Sequence, residues 1–387
     1  MRPIYTLLVA AWALAVSCKP KEQKTTVGTA IAIPRAQAIY VTNNGSDSLS
    51  VVDRDGPRVV EVKLDLDPNA HEAPHHLALD PGSSRLYVAL AFPAPVEKKK
   101  DPHAGHGKSE DPGRLARLDV GTLAVKEHVK VDENPGDVVL SHDGKRVLVT
   151  HFDMQRALAA AMAGGPPVTL FATLQVWNAE PLTLFGSRPL CVAPHGISLL
   201  KDDKTALVAC YGSDEIAVVD LATPSLATTR VPVGPSPGLL GAPRYGPYSA
   251  TLSPRETWAL VAELEGQELR VFDVQSRKFI QERTMPVGAR AFMPAFVDDE
   301  TAIVPLQAPD GFARVNVAKG EVSQKVAAGA GCRAPHAAAR AKDGRLYVAC
   351  EGDHTQRGSV VELDPTTLLE KRRWEVGVYP DGLVLGE

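Results

Sequence analysis

From Tyr40 to Val52 apolar and polar residues alternate on both sides of Asn44-Gly45, the pattern of two half-buried strands joined by a tight turn. Related stretches return at 86–90, 147–151, 206–220, 258–273, 302–317 and 346–364. Each copy belongs with a short apolar segment that opens on Pro74, Pro135, Pro194, Pro247, Arg290, Pro335 or Pro380. Successive openings lie 61, 59, 53, 43, 45 and 45 residues apart. The last three intervals set the unit, close to the roughly 40–45 residues of a four-stranded propeller blade, and the longer ones are the same unit with inserted loops. Within one unit the pattern predicts strands at 196–200, 205–210, 215–220 and 228–233, and Asp143-Gly144 and Asp343-Gly344 read as turns between first and second strands.

A single blade leaves an apolar face wet, and stacking blades around an axis buries it. Counting units gives an all-β, seven-bladed β-propeller. The last apolar segment, 379–385, looks like an opening strand with no blade to follow, so it is expected to return to the blade begun near Tyr40 and close the ring. Composition agrees. Gly and Pro number 31 each in 387 residues, which suits many short strands. Hydrophobic residues at 44% and charged residues at 23% allow a large core. Lys+Arg is 42 against Asp+Glu 46, a net charge of −4, so no basic field exists to bind nucleic acid.

Tyr40-Val41-Thr42-Asn43 and its surroundings resemble the YVTN-repeat family of bacterial extracytoplasmic β-propellers, over roughly residues 30–387. Later copies drift, as in Ala262-Glu263 and Ala349-Cys350. The resemblance implies an architecture and an extracytoplasmic setting rather than one reaction. A more distant likeness is to seven-bladed lactonases, at the level of fold class.

The N-terminus reads as an address. Arg2 precedes an apolar run from Ile4 to Val16, too short to span a bilayer and fitting the core of a signal peptide over 1–17. Ala15-Val16-Ser17-Cys18 resembles a bacterial lipobox, which implies lipidation of Cys18, a polar tether over 18–28 and a membrane partner; an ordinary secretory signal is the simpler alternative. The lipobox reading starts the mature protein at Cys18 in an oxidising compartment, lipid-anchored in the cell envelope.

Beyond Cys18, four cysteines remain. Cys191-Val-Ala-Pro-His195 and Cys332-Arg-Ala-Pro-His336 are one motif in two units, each followed by a Val-Ala-Cys ending in Cys210 or Cys350. Turns at 201–204 and 341–344 fold each second cysteine back beside the first, predicting disulfides Cys191–Cys210 and Cys332–Cys350. Thiolate metal ligation competes with this, and no Cys-x-x-Cys-His haem motif occurs.

Aligning the units on their opening residue places His75, Gly136, His195, Tyr248, Ala291, His336 and Asp381 at one level of the innermost strands. His75, His195 and His336 are spread almost evenly around the ring. With Asp381 they form a candidate transition-metal site, Zn or Cu first, at the channel mouth, with His76 in reserve and Tyr248 on the channel rim. The plainer account is a Pro-His turn inherited by duplication, and the pleat can also turn these residues aside.

Insertions at about 92–113, with Lys98-Lys99-Lys100, His103 and His106, and at about 153–170 fall at the same end of the blades, as does the Gly/Pro-rich stretch 234–247. The second reads as a short helix capped by Asp153 and ended by Gly164, with Met154 and Met162 packing onto the rim. A P-loop motif is absent from the sequence, and the prolines inside His71-Glu-Ala-Pro-His75 and Gly234-Pro-Ser-Pro-Gly238 speak against the helix and the strand-to-helix elbow that His-Glu-x-x-His and Gly-x-Ser-x-Gly chemistry need. Three functions therefore stand: a non-catalytic lipoprotein that binds a protein or ligand on its loop-bearing rim, which these features favour; a metal-binding or redox-associated propeller; and a lactonase-like hydrolase using Asp381 with His336 or His195.

Overall fold

The computed structural model describes residues 29–93 and 111–387. The signal segment, Cys18, its tether, and Lys98-Lys99-Lys100, His103 and His106 of the first insertion lie outside the described residues. Seven antiparallel sheets form a ring, and each runs from an innermost to an outer strand. In chain order the innermost strands are Pro74–Leu79, Pro135–Leu140, Pro194–Leu199, Pro247–Leu252, the broken pair Arg290–Ala291 and Ala295–Phe296, Pro335–Arg340, and Pro380–Leu385. We number the blades 1 to 7 in that order. In blade 3 the remaining strands are Thr205–Cys210, Glu215–Asp220 and Thr228–Pro232.

Two blades depart from the regular unit. The outer strand of blade 4 is split into Lys278–Phe279 and Met285–Pro286 by a 3-10 turn at Gln281–Arg283. In blade 5 the innermost strand breaks at Met293-Pro294, where the Met293 N–H donates to His336 O at 3.0 Å. Pro294 has no backbone N–H to give to a ladder, which explains the gap.

Closure is by the C-terminal strand. Pro380–Leu385 pairs with Ala38–Asn43 in the register Ile39↔Leu385, Tyr40↔Val384 and Val41↔Leu383, so blade 7 combines both ends of the chain. The core confirms the ring. Seven buried apolar clusters each span two adjacent blades, for example Tyr40 and Leu49 against Leu86 and Val88, or Ile39 and Val41 against Tyr347 and Trp374.

The tight turn expected at Asn44-Gly45 is a 3-10 turn, Asn44–Ser46, whose left-handed residue is Asp47 at φ 50°. Asp214 is its counterpart after Tyr211–Ser213, at φ 55°. The carboxylates explain the choice. Asp47 Oδ1 accepts the Glu72 and Ala73 N–H groups at 2.9 Å, and buried Asp214 accepts N–H groups of Gly238, Arg244, Tyr245 and Gly246. Aspartate tolerates the left-handed region, and its oxygens tie one blade to the start of the next.

In the second insertion, the helix Met154–Met162 is capped by the Asp153 carboxylate, which accepts the Arg156 N–H, and Gly164 past its end has φ 68°. Met154 packs against the small cluster around Ala157 and Leu170. Met162 does not pack on the rim as expected; it is 81% exposed, because the helix buries only Ala157 fully.

Both disulfides form. Cys191 at the end of the outer strand of blade 2 reaches Cys210 in blade 3, and Cys332 reaches Cys350 in blade 6, with Cα–Cα distances of 5.9 and 5.0 Å. Their sequence separations of 19 and 18 residues give about 3 kcal/mol each in the chain-entropy account. Replacing Cys332 and Cys350 together by Ala is expected to lower the unfolding free energy by about that amount. Urea denaturation should show a lower midpoint, and a reductant should destabilise the variant less than it destabilises the parent.

Candidate metal centre

The site is built at the start of the innermost strands by a repeated backbone device. The residue before the opening proline is left-handed in six blades: Ala73 (φ 47°), Asn134 (50°), Ala193 (49°), Gly246 (61°), Ala334 (49°) and Tyr379 (54°). That conformation costs about 1–2 kcal/mol for an L-residue other than Gly. It is unusual before proline, where extended backbone is the norm. A register shift follows at once, between Pro74 and Leu77 in blade 1, Pro135 and Val138 in blade 2, Pro194 and Ile197 in blade 3, and Pro335 and Ala337 in blade 6. Such bulges re-aim side chains. Consecutive His75 and His76 therefore both reach the hub and stack face to face, ring centroids 4.5 Å apart, where a regular pleat would send them to opposite faces.

His75, His76, His195, His336, Tyr248 and Asp381 are all buried here, none more than 5% exposed. His75, His76 and His195 hold ligand atoms within 4.8 Å of one another, and so do His76, His336 and Asp381. The anticipated His75, His195, His336 and Asp381 are thus brought together. His76, expected only in reserve, is the member common to both groups.

The partners fix the rings. His75 Nδ1 donates to Gly136 O at 2.8 Å, which turns Nε2 toward Asp381 Oδ2 at 3.0 Å. His76 Nδ1 donates to Asp137 Oδ1 at 2.8 Å, and its buried Nε2 has no hydrogen-bond partner among the described residues. Asp137 is itself held by the N–H groups of Val138 and Ile197, each at 2.8 Å. His336 Nδ1 donates to Glu351 Oε1 and lies 3.2 Å from Asp381 Oδ1, while its Nε2 meets the Tyr248 hydroxyl at 3.2 Å. Glu351 also accepts from Gln307 Nε2 at 3.0 Å and from His354 Nε2 at 2.6 Å. His195 stacks on Tyr248 with centroids 3.9 Å apart and meets Phe152 edge-on at 5.3 Å.

Electrostatics separate the imidazoles. Burial pushes His75 down to about 4, against the pull of the Asp381 carboxylate, so its neutral form prevails at neutral pH. His336 moves up: burial opposes its charge, but Asp381 and Glu351 together outweigh it. Burial, reinforced by Asp381 and Glu351, holds the Tyr248 phenol well above its ordinary value and therefore protonated.

Asp137, Glu351, Gln307 and His354 were not singled out from the sequence. Asp137 had a signal, since it follows Gly136 as His76 follows His75. Glu351 and His354 follow the second strand of blade 6 and carry no repeating mark. The helical insertion closes over the same end, for Phe152 just before it contacts His195 and Tyr211.

No known protein family matches the chain, and no curated protein matches it. Solved structures do. The periplasmic gluconolactonase of Pseudomonas aeruginosa is 17% identical with a TM-score of 0.64, covering 90% of this chain and 98% of its own. A Bacteroides fragilis protein described provisionally as a 6-phosphogluconolactonase is 16% identical with a TM-score of 0.64, over 90% and 97%. A dihydro-heme d1 dehydrogenase is 14% identical with a TM-score of 0.54, over 92% of this chain and 76% of its own. These neighbours include lactonase-like seven-bladed propellers, and at such identities the likeness is one of fold.

Glu351 bridges two histidines from a fully buried position. Truncating one member of a buried pair costs about 3–5 kcal/mol because the other is stranded. Glu351→Ala should therefore destabilise by about that amount, and Glu351→Gln, which keeps an acceptor for the His336 Nδ1–H, by clearly less. Chemical denaturation of the two variants beside the parent checks the order.

Proposed function

We propose that the propeller hub holds one transition-metal ion, making this chain a metal-binding envelope protein. One observation carries the reading. His75, His76 and His336 each spend Nδ1 on a carbonyl or carboxylate, and the buried Nε2 of His76 is left without a hydrogen-bond partner among the described residues. A histidine whose second nitrogen is held by such an acceptor is the arrangement metal-bound imidazoles adopt, because the acceptor fixes the tautomer and raises the basicity of the ligating nitrogen. Imidazoles with one carboxylate suit Zn, Cu or Fe, and His195 supplies a further imidazole. Inheritance of a Pro-His turn accounts for His195 and His336 recurring, but not for separate acceptors at His75, His76 and His336.

Lactone hydrolysis is the second reading, favoured by the names of two structural neighbours. Burial weighs against it: at no more than 5% exposure the hub groups suit an ion better than a sugar lactone. A non-catalytic rim that captures a partner is compatible with either. In this proposal residues 1–17 are a signal peptide and Cys18 carries the lipid. The described chain starts on the rim opposite the hub, where Ile31 N–H donates to Gly121 O at 2.8 Å in a turn between the two outer strands of blade 1. A tether leaving there would turn the loop-bearing rim away from the bilayer. Disulfides fit that oxidising setting.

Elemental analysis of the purified protein, reconstituted separately with Zn(II), Cu(II) and Fe(II), is expected to find one equivalent of one of them. His76→Ala should lose it, and chelation should lower the melting temperature of the parent but not of the variant. At a metal concentration a thousand times Kd the stabilisation is about 4 kcal/mol. A parent that retains no metal and ignores chelator would refute the reading, and hydrolysis of gluconolactone by that metal-free protein would favour the second.

A further inference from the structure

Blade 6 carries a second feature on the loop-bearing rim, outside the hub. A cleft of about 490 Å³ opens between the connection into the blade, the connection after its second strand, and its outer strand Glu370–Val378. Its size falls in the range of small-molecule sites, roughly 300–1,000 Å³. Three guanidinium groups line it, from Arg333, Arg357 and Arg373, beside Ser359 and the single carboxylate of Glu375.

The charges are unevenly spent. Arg357 is neutralised twice, by Glu61 at 2.7 Å and Glu375 at 3.0 Å. Arg333 stands 3.6 Å from Asp353, and Arg373 stands 3.6 Å from Glu370. Both separations exceed hydrogen-bond distance, so these two rigid forks keep donors for another acceptor. Asp353 Oδ1 accepts from the Thr355 and Gln356 N–H groups at 2.9 Å, and Oδ2 is the oxygen that faces Arg333. The wall makes room for the guanidinium. A Cβ on Gly331 would fall 2.0 Å from Arg373 Nη1 and 2.7 Å from Glu370 Oε2, so the glycine leaves room for both side-chain ends. Gly352 and Gly358 also line the cleft, with Ala330 and Cys350.

We propose that this cleft binds a small oxyanion-bearing ligand, the carboxylate or phosphate group of a polar metabolite, between Arg333 and Arg373. Arginine is suited to it, since its planar fork matches either group with two parallel hydrogen bonds. The wall also adjoins the hub: Cys350 and Gly352 line the cleft and flank Glu351, which holds His336.

Calorimetric titration of the full chain with inorganic phosphate and, separately, with gluconate tests this, at an ionic strength fixed with chloride. Saturable binding of at least one is expected, and which one distinguishes a phosphate source from a carboxylate source. Arg333→Ala with Arg373→Ala should weaken it at least tenfold while leaving hub metal content unchanged, so failure here is distinct from failure of the metal reading. Arg333 is 63% exposed, so Arg333→Gln alone is a variant that folds and should still weaken binding severalfold. No saturable binding of either probe, or equal binding by parent and Arg333→Gln, would overturn the proposal.

Discussion

A four-stranded blade has two apolar faces and can cover neither by itself, so every other property of this protein depends on the ring being complete. The constraint is met by strand exchange between the chain ends. Pro380–Leu385 takes the innermost place in a blade whose other strands begin at Ala38. Hydrophobic burial at roughly 25 cal/mol per Å² acts at each of the seven junctions, and leaving one open would wet two faces at once. The same strand carries Asp381, fully buried between His75 and His336. Closing the ring and completing the hub are one event, since the carboxylate arrives with the last strand.

Closure alone does not make a site. Seven inner strands of regular pleat would aim alternate residues at the channel and give a ring of identical levels. The left-handed residue before each opening proline, with the bulge after it, breaks that regularity at one end only. Strain of this kind persists where the surroundings over-determine it. Here the Asp47 carboxylate accepts the N–H of left-handed Ala73, the Asp214 carboxylate that of Gly246, and Asp310 that of Ala334. Turn chemistry in one blade thus sets the aim of a hub residue in the next.

This explains what the sequence disclosed and what it did not. Blade number, the closing strand, both disulfides and the helix after Asp153 were legible because each rests on spacing, and spacing survives drift in residue identity. The level of His75, His195, His336 and Asp381 was legible for the same reason. The central place of His76 was hidden, because it requires a bulge at a Pro-His-His segment with no glycine to announce it. Asp137 and Glu351 were hidden because they act through the rings they hold, and their positions follow no period. Met162 misled through helical spacing: eight residues separate it from Met154, but a helix this short, at the outer edge of a loop, buries one stripe only near Ala157.

The depth of the hub is the ground on which we rank its proposed occupants. Ionisable groups at this burial are costly unless paired, and several kcal/mol per ion is the usual scale. His75, His76, His195, His336, Asp137, Glu351 and Asp381 crowd together, with carboxylates holding the outward nitrogens of His76 and His336 and a carbonyl that of His75. A substrate the size of a sugar lactone would have to displace Phe152, Tyr248 or the stacked histidines to reach Asp381. A single cation needs no such displacement. In the proposed reading it would meet His76 Nε2, on a ring already oriented by Asp137. The cation reading we propose thus rests on the burial of the hub and the held ring of His76, and owes nothing to the fold's relatives.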